Sequence, residues 1–148
     1  MVTRIKPLYI PENKEEVKEI YYPTWLYLFD YVVERRIFGD IIGKITIVVD
    51  GISGRSYLAD SFPELEEIKT EEKVLDPSIS EEKALEIARD KVETFLFRKF
   101  AYLKFSYSLS RKHLAYKLFW AKKKGKSYYL MDSITGDEIE VQKIERSE

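Results

Sequence analysis

The sequence SEEKALEIARDKVETFLFRKF, residues 80–100, predicts a helix with clear signals at both ends. Ser80 suits the N-cap position, because its hydroxyl can accept a backbone N–H of the first turn. Glu81 and Glu82 follow it and basic side chains close the segment, as the helix dipole favours. Apolar residues recur every three or four positions on one face, which should pack against another element: Leu85, Ala88, Val92, Phe95 and Leu96.

Downstream of this helix the apolar period changes to two, which indicates strands. Residues 101–109 alternate apolar and polar side chains, and residues 114–120 do so again, so two consecutive strands are expected. The lysine-rich segment 122–126 predicts a turn, with a return arm at 127–131. A last strand is suggested by Ile139, Val141 and Ile144.

Upstream of the helix, the first half of the chain is predicted to be rich in strands. A short helix is expected at 12–20, then an aromatic strand at 25–33, a loop at 38–43, a strand at 45–49 and a third arm at 55–59. Segment 61–77 is acidic and poor in large apolar residues, and Pro63 suits the first turn of a helix. We interpret this segment as a helical connector.

One short signature occurs twice, as DGISG at 50–54 and DSITG at 132–136. Each copy follows one apolar strand and precedes another. An Asp carboxylate there can accept backbone N–H groups two or three residues on, while the last Gly tolerates positive φ. Cation or phosphate binding is the alternative, but the motif offers too few oxygen ligands for calcium. The signature therefore predicts a structural turn at two places: Asp50, Ser53 and Gly54, and Asp132, Thr135 and Gly136.

With these corners, ISEEKALEIA at 79–88 and YYLMDSITGDEIE at 128–140 resemble the PepSY domain. The resemblance covers residues 79–141 and involves Leu85, Ile87, Ala88, Asp132, Thr135, Gly136 and Ile139. A fainter second copy, in residues 12–60, depends on ITIVVDGISGRSYL alone. The family implies one helix on a small antiparallel sheet, and a noncatalytic module that binds or restrains another protein, often a peptidase. PepSY domains are usually exported or membrane-linked, whereas no export signal is evident in this sequence.

The expected fold is therefore α+β, with a helix packed on an antiparallel sheet in two related PepSY-like units in tandem. The expected domains are a strand-rich unit at 1–60, the acidic connector at 61–77 and the PepSY-like unit at 78–148. A chain of 148 residues is long enough for one domain or two small units that share a core.

Composition narrows the class of protein. The absence of cysteine excludes disulfides, thiolate metal sites and a thiol nucleophile. No apolar run reaches the roughly 18 residues of a membrane span, so a cytoplasmic location and no membrane partner are expected. Abundant Lys and Glu, with one Asn and one Gln, are typical of thermophilic proteins.

Catalytic constellations are not evident, so we expect neither an enzyme nor a cofactor. The single histidine, His113, lies beside Arg111 and Lys112, whose charges disfavour a metal. The paired glutamates lie in charged, solvated stretches and do not indicate an acid/base pair. An enzyme with a pocket between the two units is a third possibility.

Charge is unevenly distributed: residues 61–90 carry ten acids and four bases, whereas 91–130 carry eleven bases and one acid. A basic, partly aromatic sheet face could hold single-stranded nucleic acid through phosphate contacts and stacking. The same lysines could instead protect a sheet edge or neutralise the acidic segment. The residues of this possible nucleic-acid surface are Lys104, Lys117, Phe119, Lys122, Lys123, Lys124 and Lys126.

The first half contains more aromatic residues than one sheet face must bury. Trp and Tyr are common interface anchors, so these side chains could form either the core or a surface for a partner or a second copy. The residues are Trp25, Tyr27, Phe29 and Tyr31. The function predicted from the sequence is a noncatalytic protein-binding or regulatory module, whose partner is another protein or itself. The alternative is a small nucleic-acid-binding protein.

Overall fold

The computed structural model describes residues 1–12 and 17–141. In this part of the chain, nine strands form one mixed sheet and one helix is present. The elements are β1 (Val2–Ile5), β2 (Val17–Glu34), β3 (Ile41–Asp50), β4 (Ser56–Ala59), β5 (Leu65–Ile68), β6 (Lys73–Val74), α1 (Glu81–Lys99), β7 (Lys104–Lys124), β8 (Ser127–Asp132) and β9 (Glu138–Val141).

The strand order is β4-β3-β2-β7-β1-β5, with β6 paired to β2, and β8 paired to β7 and β9. Most neighbours are antiparallel, but β1 runs parallel to β7 and β6 runs parallel to β2. The expected tandem of two helix-plus-antiparallel-sheet units is therefore wrong. Long strands join the two halves of the chain in one sheet, and the described first half contributes no helix.

The chain forms two compact units that alternate along the sequence. Unit 1 comprises Met1–Pro23, Pro63–Asp76 and Ala115–Glu148, and unit 2 comprises Thr24–Phe62 and Pro77–Leu114. Strands β2 and β7 each supply residues to both units, so the units do not follow the linear segments 1–60, 61–77 and 78–148.

In unit 2, α1 packs on the β2–β3 hairpin and confirms the helix predicted from Ser80. The Ser80 hydroxyl accepts the backbone N–H of Lys83 at 3.2 Å. The buried row differs slightly from the predicted one, because Leu85 and Phe95 are only partly buried. The fully buried row is spaced by four residues, and its two alanines let the helix approach the sheet closely: Ala84, Ala88, Val92 and Leu96.

In unit 1, β1 pairs antiparallel with β5 and parallel with β7. The helical connector predicted at 61–77 is wrong, since this segment contains strands β5 and β6. Pairing with β1 satisfies the backbone groups on one side of β5, and it places Arg4 opposite Glu66 in an ion pair of 2.7 Å. The core of this unit is built around Tyr21, Leu118 and Trp120.

The two strands expected at 101–109 and 114–120 are one continuous strand, β7. Residues 110–113 are Ser, Arg, Lys and His, so no Gly, Pro, Asn or Asp interrupts the extended backbone. The predicted β7–β8 hairpin is confirmed, with Gly125 at φ 61° in its turn. The short helix expected at 12–20 is a strand from Val17 onward, while residues 13–16 and Ile144 lie outside the described residues.

Candidate docking surface

The aromatic residues proposed as a partner surface belong to the core of unit 2. Tyr27, Phe29 and Tyr31 are buried in the cluster formed with α1, and Trp25 packs against that cluster. The indole N–H of Trp25 donates to the carbonyl of Ile79 at 3.1 Å. Because the chain's own helix covers these rings, they are not available as a docking face.

The hydroxyl of Tyr27 is buried and has no hydrogen-bond partner within the described chain. Burial raises the pKa of this phenol, and the carboxylate of Glu81 raises it further. Both effects keep the ring neutral. The arrangement therefore carries an energetic cost, but it brings no second reactive group to the hydroxyl.

The predicted nucleic-acid surface is divided between the units and is partly neutralised. Lys117 forms an ion pair of 2.6 Å with Asp132, and Lys122 pairs with Glu138. The ring of Phe119 is half-buried and meets Tyr22 edge-on. The exposed members are Lys104 in unit 2, and Lys123 and Lys126 in unit 1, while the side chain of Lys124 is outside the described atoms.

The repeated corners share the same hydrogen bonds. The Asp50 carboxylate accepts the N–H groups of residues 52 and 53 at 2.8 and 2.9 Å, and Asp132 accepts those of 134 and 135 at 2.8 and 3.3 Å. In each corner the Ser53 or Thr135 hydroxyl accepts the N–H two residues later. The closing glycines Gly54 and Gly136 have φ of 78° and 79°. These contacts use the carboxylate and hydroxyl for turn architecture.

His113 lies in an aromatic and cationic setting within unit 2. Its ring meets the edge of Phe62 at 5.9 Å between centroids, and the Arg111 guanidinium lies 4.1 Å from the centre of the same Phe62 ring. Across residues 1–12 and 17–141, no group of three His, Asp or Glu side chains is placed to hold a metal ion.

The most exposed apolar residues of unit 2 include those at the tip of the β2–β3 hairpin. Phe38 is 87% exposed and has φ 72°, a left-handed conformation that is uncommon outside glycine. The Arg35 guanidinium fixes this backbone, since it donates to the carbonyls of Phe38 at 3.1 Å and Gly39 at 2.8 Å. The tip thus holds its aromatic side chain outward, beside exposed Ile37 and Ile42.

A second strained aromatic residue lies in the connection between α1 and β7. Tyr102 has φ 74°, and its side chain is fully exposed. Neighbouring Phe97 and Leu103 also expose apolar area. The hairpin tip and the α1–β7 connection therefore each expose the aromatic ring of a residue with left-handed φ, Phe38 and Tyr102 respectively.

Ring packing and strand register place these two loops at the same end of unit 2. Tyr31 lies opposite Gly43 near the hairpin tip, and its ring centre is 6.0 Å from that of Phe100, the C-cap of α1. The end of the helix therefore lies over the tip end of the hairpin. We call this region the aromatic end and define it by five residues: Ile37, Phe38, Phe97, Tyr102 and Leu103.

The charges around the aromatic end are mainly positive. Five basic residues lie at the hairpin tip, in the last turn of α1 and at the start of β7, and two acids accompany them: Arg35, Arg36, Arg98, Lys99 and Lys104, with Glu34 and Asp40. Lys99 also lies 5.4 Å from the Phe95 ring centre and 5.5 Å from that of Phe100. The region thus combines exposed aromatic area with a cationic rim.

A groove between α1 and strand β4 adjoins this rim. Its volume is about 390 Å³, and it is lined by Leu58 from β4 and by side chains of the helix: Lys91, Thr94, Phe95, Arg98 and Lys99. Leu58 and Phe95 supply its apolar surface, while three cations line its helix side.

Sequence reasoning did not identify this surface, although one signal was present. Phe38 is a large aromatic residue at the start of the segment predicted as a loop, and it follows Ile37 and two arginines and precedes Gly39. Tyr102 gave no such signal, because it fitted the alternation assigned to a strand.

The chain matches no family model, no curated protein and no solved structure. Within residues 1–12 and 17–141, no helix is long and apolar enough to cross a membrane.

Proposed function

We propose that this protein is a noncatalytic protein-binding module that docks a partner protein through the aromatic end of unit 2. The supporting observation is the pair of exposed aromatic residues, Phe38 and Tyr102, that adopt positive φ. A left-handed non-glycine residue costs about 1–3 kcal/mol, and such strain clusters at functional sites. Exposed apolar groups that are grouped together also mark interaction surfaces.

The chemistry of the surface indicates the chemistry of the partner. Aromatic residues and Arg are enriched at binding hot spots, and the aromatic end provides Phe38 and Tyr102 beside Arg36 and Arg98. A complementary partner surface has an apolar centre and acidic residues at its rim. Two copies of this end face to face would bring like charges together, so a different protein is favoured over a homodimer at this surface.

The PepSY resemblance, which stays a prediction from the sequence, also implies a module that binds or restrains another protein. A regulatory role, a cytoplasmic location and a thermophilic source stay predictions from the sequence. The proposal assigns no catalytic residue, since the aromatic end offers rings and cations suited to binding.

The proposal is tested by affinity capture from native cell extract with three tagged forms of the chain. These are the wild type, the double variant Phe38→Ser/Tyr102→Ser, and the control Tyr128→Ser, which changes an exposed tyrosine of unit 1. Far-UV circular dichroism first establishes that all three forms are folded.

We expect a protein that is retained by the wild type and the control but is lost with the double variant. Capture that is the same for all three forms, or capture by none, would contradict the proposal. Sedimentation with anionic phospholipid vesicles that depends on Phe38 would assign the aromatic end to a lipid surface, and would also contradict it.

Nucleic-acid binding is the alternative function and has weaker support. Exposed Lys123 lies 5.6 Å from the Tyr128 ring centre, an arrangement compatible with phosphate contact beside a stacking ring. However, Lys117 and Lys122 are already paired with acids. A gel shift of mixed single-stranded and duplex DNA and RNA at low salt tests this alternative, and no shift at micromolar protein would remove it.

A further inference from the structure

We infer that the groove between α1 and β4 binds an extended, acidic segment of a partner protein, which adds a strand to the open edge of β4. This inference rests on the proposed protein-binding function and specifies a mode of binding at a second surface of unit 2. Extended peptides often bind by strand addition, in which backbone hydrogen bonds provide affinity and side-chain pockets provide specificity.

Strand β4 has a free edge. It is the terminal strand of the sheet and pairs with β3 alone in the described chain, from Val49 opposite Ser56 to Thr46 opposite Ala59. The backbone groups on its other side face away from the sheet. A four-residue edge is about 13 Å long, which suits a short extended segment.

The edge of β4 is short, but it carries no charge that would oppose pairing with another chain. Natural edge strands carry charged residues or proline that prevent another chain from adding to them. The opposite terminal strand, β5, has the sequence LEEI with two glutamates, whereas β4 has the sequence SYLA with no charge. An edge without charged side chains is consistent with a recognition site at β4.

The groove beside this edge determines which side chains the segment carries. Leu58 and Phe95 provide an apolar contact, and Lys91, Arg98 and Lys99 line the helix side without an acid among the lining residues. In the described residues, neither Lys91 nor Arg98 has an ion-pair partner. A strand that alternates apolar and acidic residues would satisfy both the pocket and the cations.

The test is selection from a displayed library of random eight-residue peptides on immobilised wild-type protein. Selected peptides are then titrated against Lys91→Glu/Arg98→Glu and against the control Lys69→Glu/Lys73→Glu, which makes the same charge change on exposed lysines of unit 1. Amide hydrogen exchange of residues 56–59, with and without peptide, reports strand addition directly.

We expect selected peptides to be enriched in Asp or Glu alternating with apolar residues, and to slow exchange of the β4 amides. The groove variant should weaken binding by about tenfold, and the control should leave it unchanged.

Peptides that slow exchange in β4 without acidic enrichment would overturn the acidic segment and leave the protein-binding function intact. Peptides that bind without slowing that exchange would overturn strand addition. If no peptide is selected while capture still depends on Phe38 and Tyr102, the groove inference fails and the proposed function stands.

Discussion

Replacing Tyr102 with glycine should stabilise the fold while weakening partner binding. The side chain is fully exposed, so its removal loses almost no buried area, and the backbone at φ 74° is strained by its Cβ. Relief of a left-handed non-glycine conformation is worth about 1–2 kcal/mol. The more flexible unfolded chain that glycine creates offsets about 0.4–1 kcal/mol of this gain.

The expected net effect of Tyr102→Gly is an increase of about 0.5–1 kcal/mol in the free energy of unfolding. For a chain of this size that corresponds to roughly 1–4 °C in melting temperature. Chemical denaturation followed by circular dichroism measures the change. Tyr102→Ala is the matched control, because it removes the same ring but keeps the Cβ and hence the strain.

We expect the alanine variant to be about as stable as the wild type, and both variants to capture less partner. If Tyr102→Gly is no more stable than Tyr102→Ala, the left-handed conformation stores no more strain than the roughly 0.4–1 kcal/mol that the flexible unfolded chain offsets. Backbone strain at Tyr102 would then give no support to the docking surface.

Three further substitutions test the packing and the corners. Tyr27→Phe removes a buried hydroxyl without a partner and should raise the free energy of unfolding by about 1 kcal/mol at pH 7. Because the pKa of this phenol is raised in the folded state, the wild type should lose stability above about pH 10, and the variant should lose less. Denaturation at several pH values measures this difference. Gly43→Ala places a Cβ against the buried ring of Tyr31, which is held by Phe100, and should cost about 1–3 kcal/mol in a urea titration; an unchanged midpoint would contradict this packing. Asp50→Ala leaves two backbone N–H groups without their carboxylate and should cost about 1–2 kcal/mol, whereas a loss below the error of the titration would show that the corner does not depend on it.

Features encoded by neighbouring residues could be predicted from the sequence. Ser80 defined the start of α1 because a cap depends on residues within one turn. The β7–β8 hairpin followed from Gly125 within a polar turn, and the corner at Asp132 followed from contacts two and three residues away. In each case the determining interaction spans only a few residues.

Features that depend on distant pairing could not be predicted in this way. Glu66 lies in a strand because β1 pairs with it, 62 residues earlier in the chain, and nothing in its own neighbourhood indicates that partner. The tandem arrangement failed for the same reason, since the first half joins a common sheet instead of forming its own helix-covered layer.

The candidate surface was misplaced because burial depends on what covers a strand. The strand pattern alone allows Phe29 to be an interface residue, because it does not show what covers the sheet. In the structure, α1 packs closely through Ala84 and Ala88 and buries the Phe29 ring. The residues left outside are Phe38 and Tyr102, whose unusual φ values are fixed by loop geometry.

Photo-crosslinking tests the docking surface most directly. A photoreactive amino acid placed at position 38, at the hairpin tip, is compared in native extract with the same group at position 128 in unit 1, which is also exposed in the wild type. We expect a discrete crosslinked protein from position 38 that is absent from position 128 and disappears when Tyr102 is replaced by Ser. Equal adducts from both positions, or none from position 38, would contradict this docking surface.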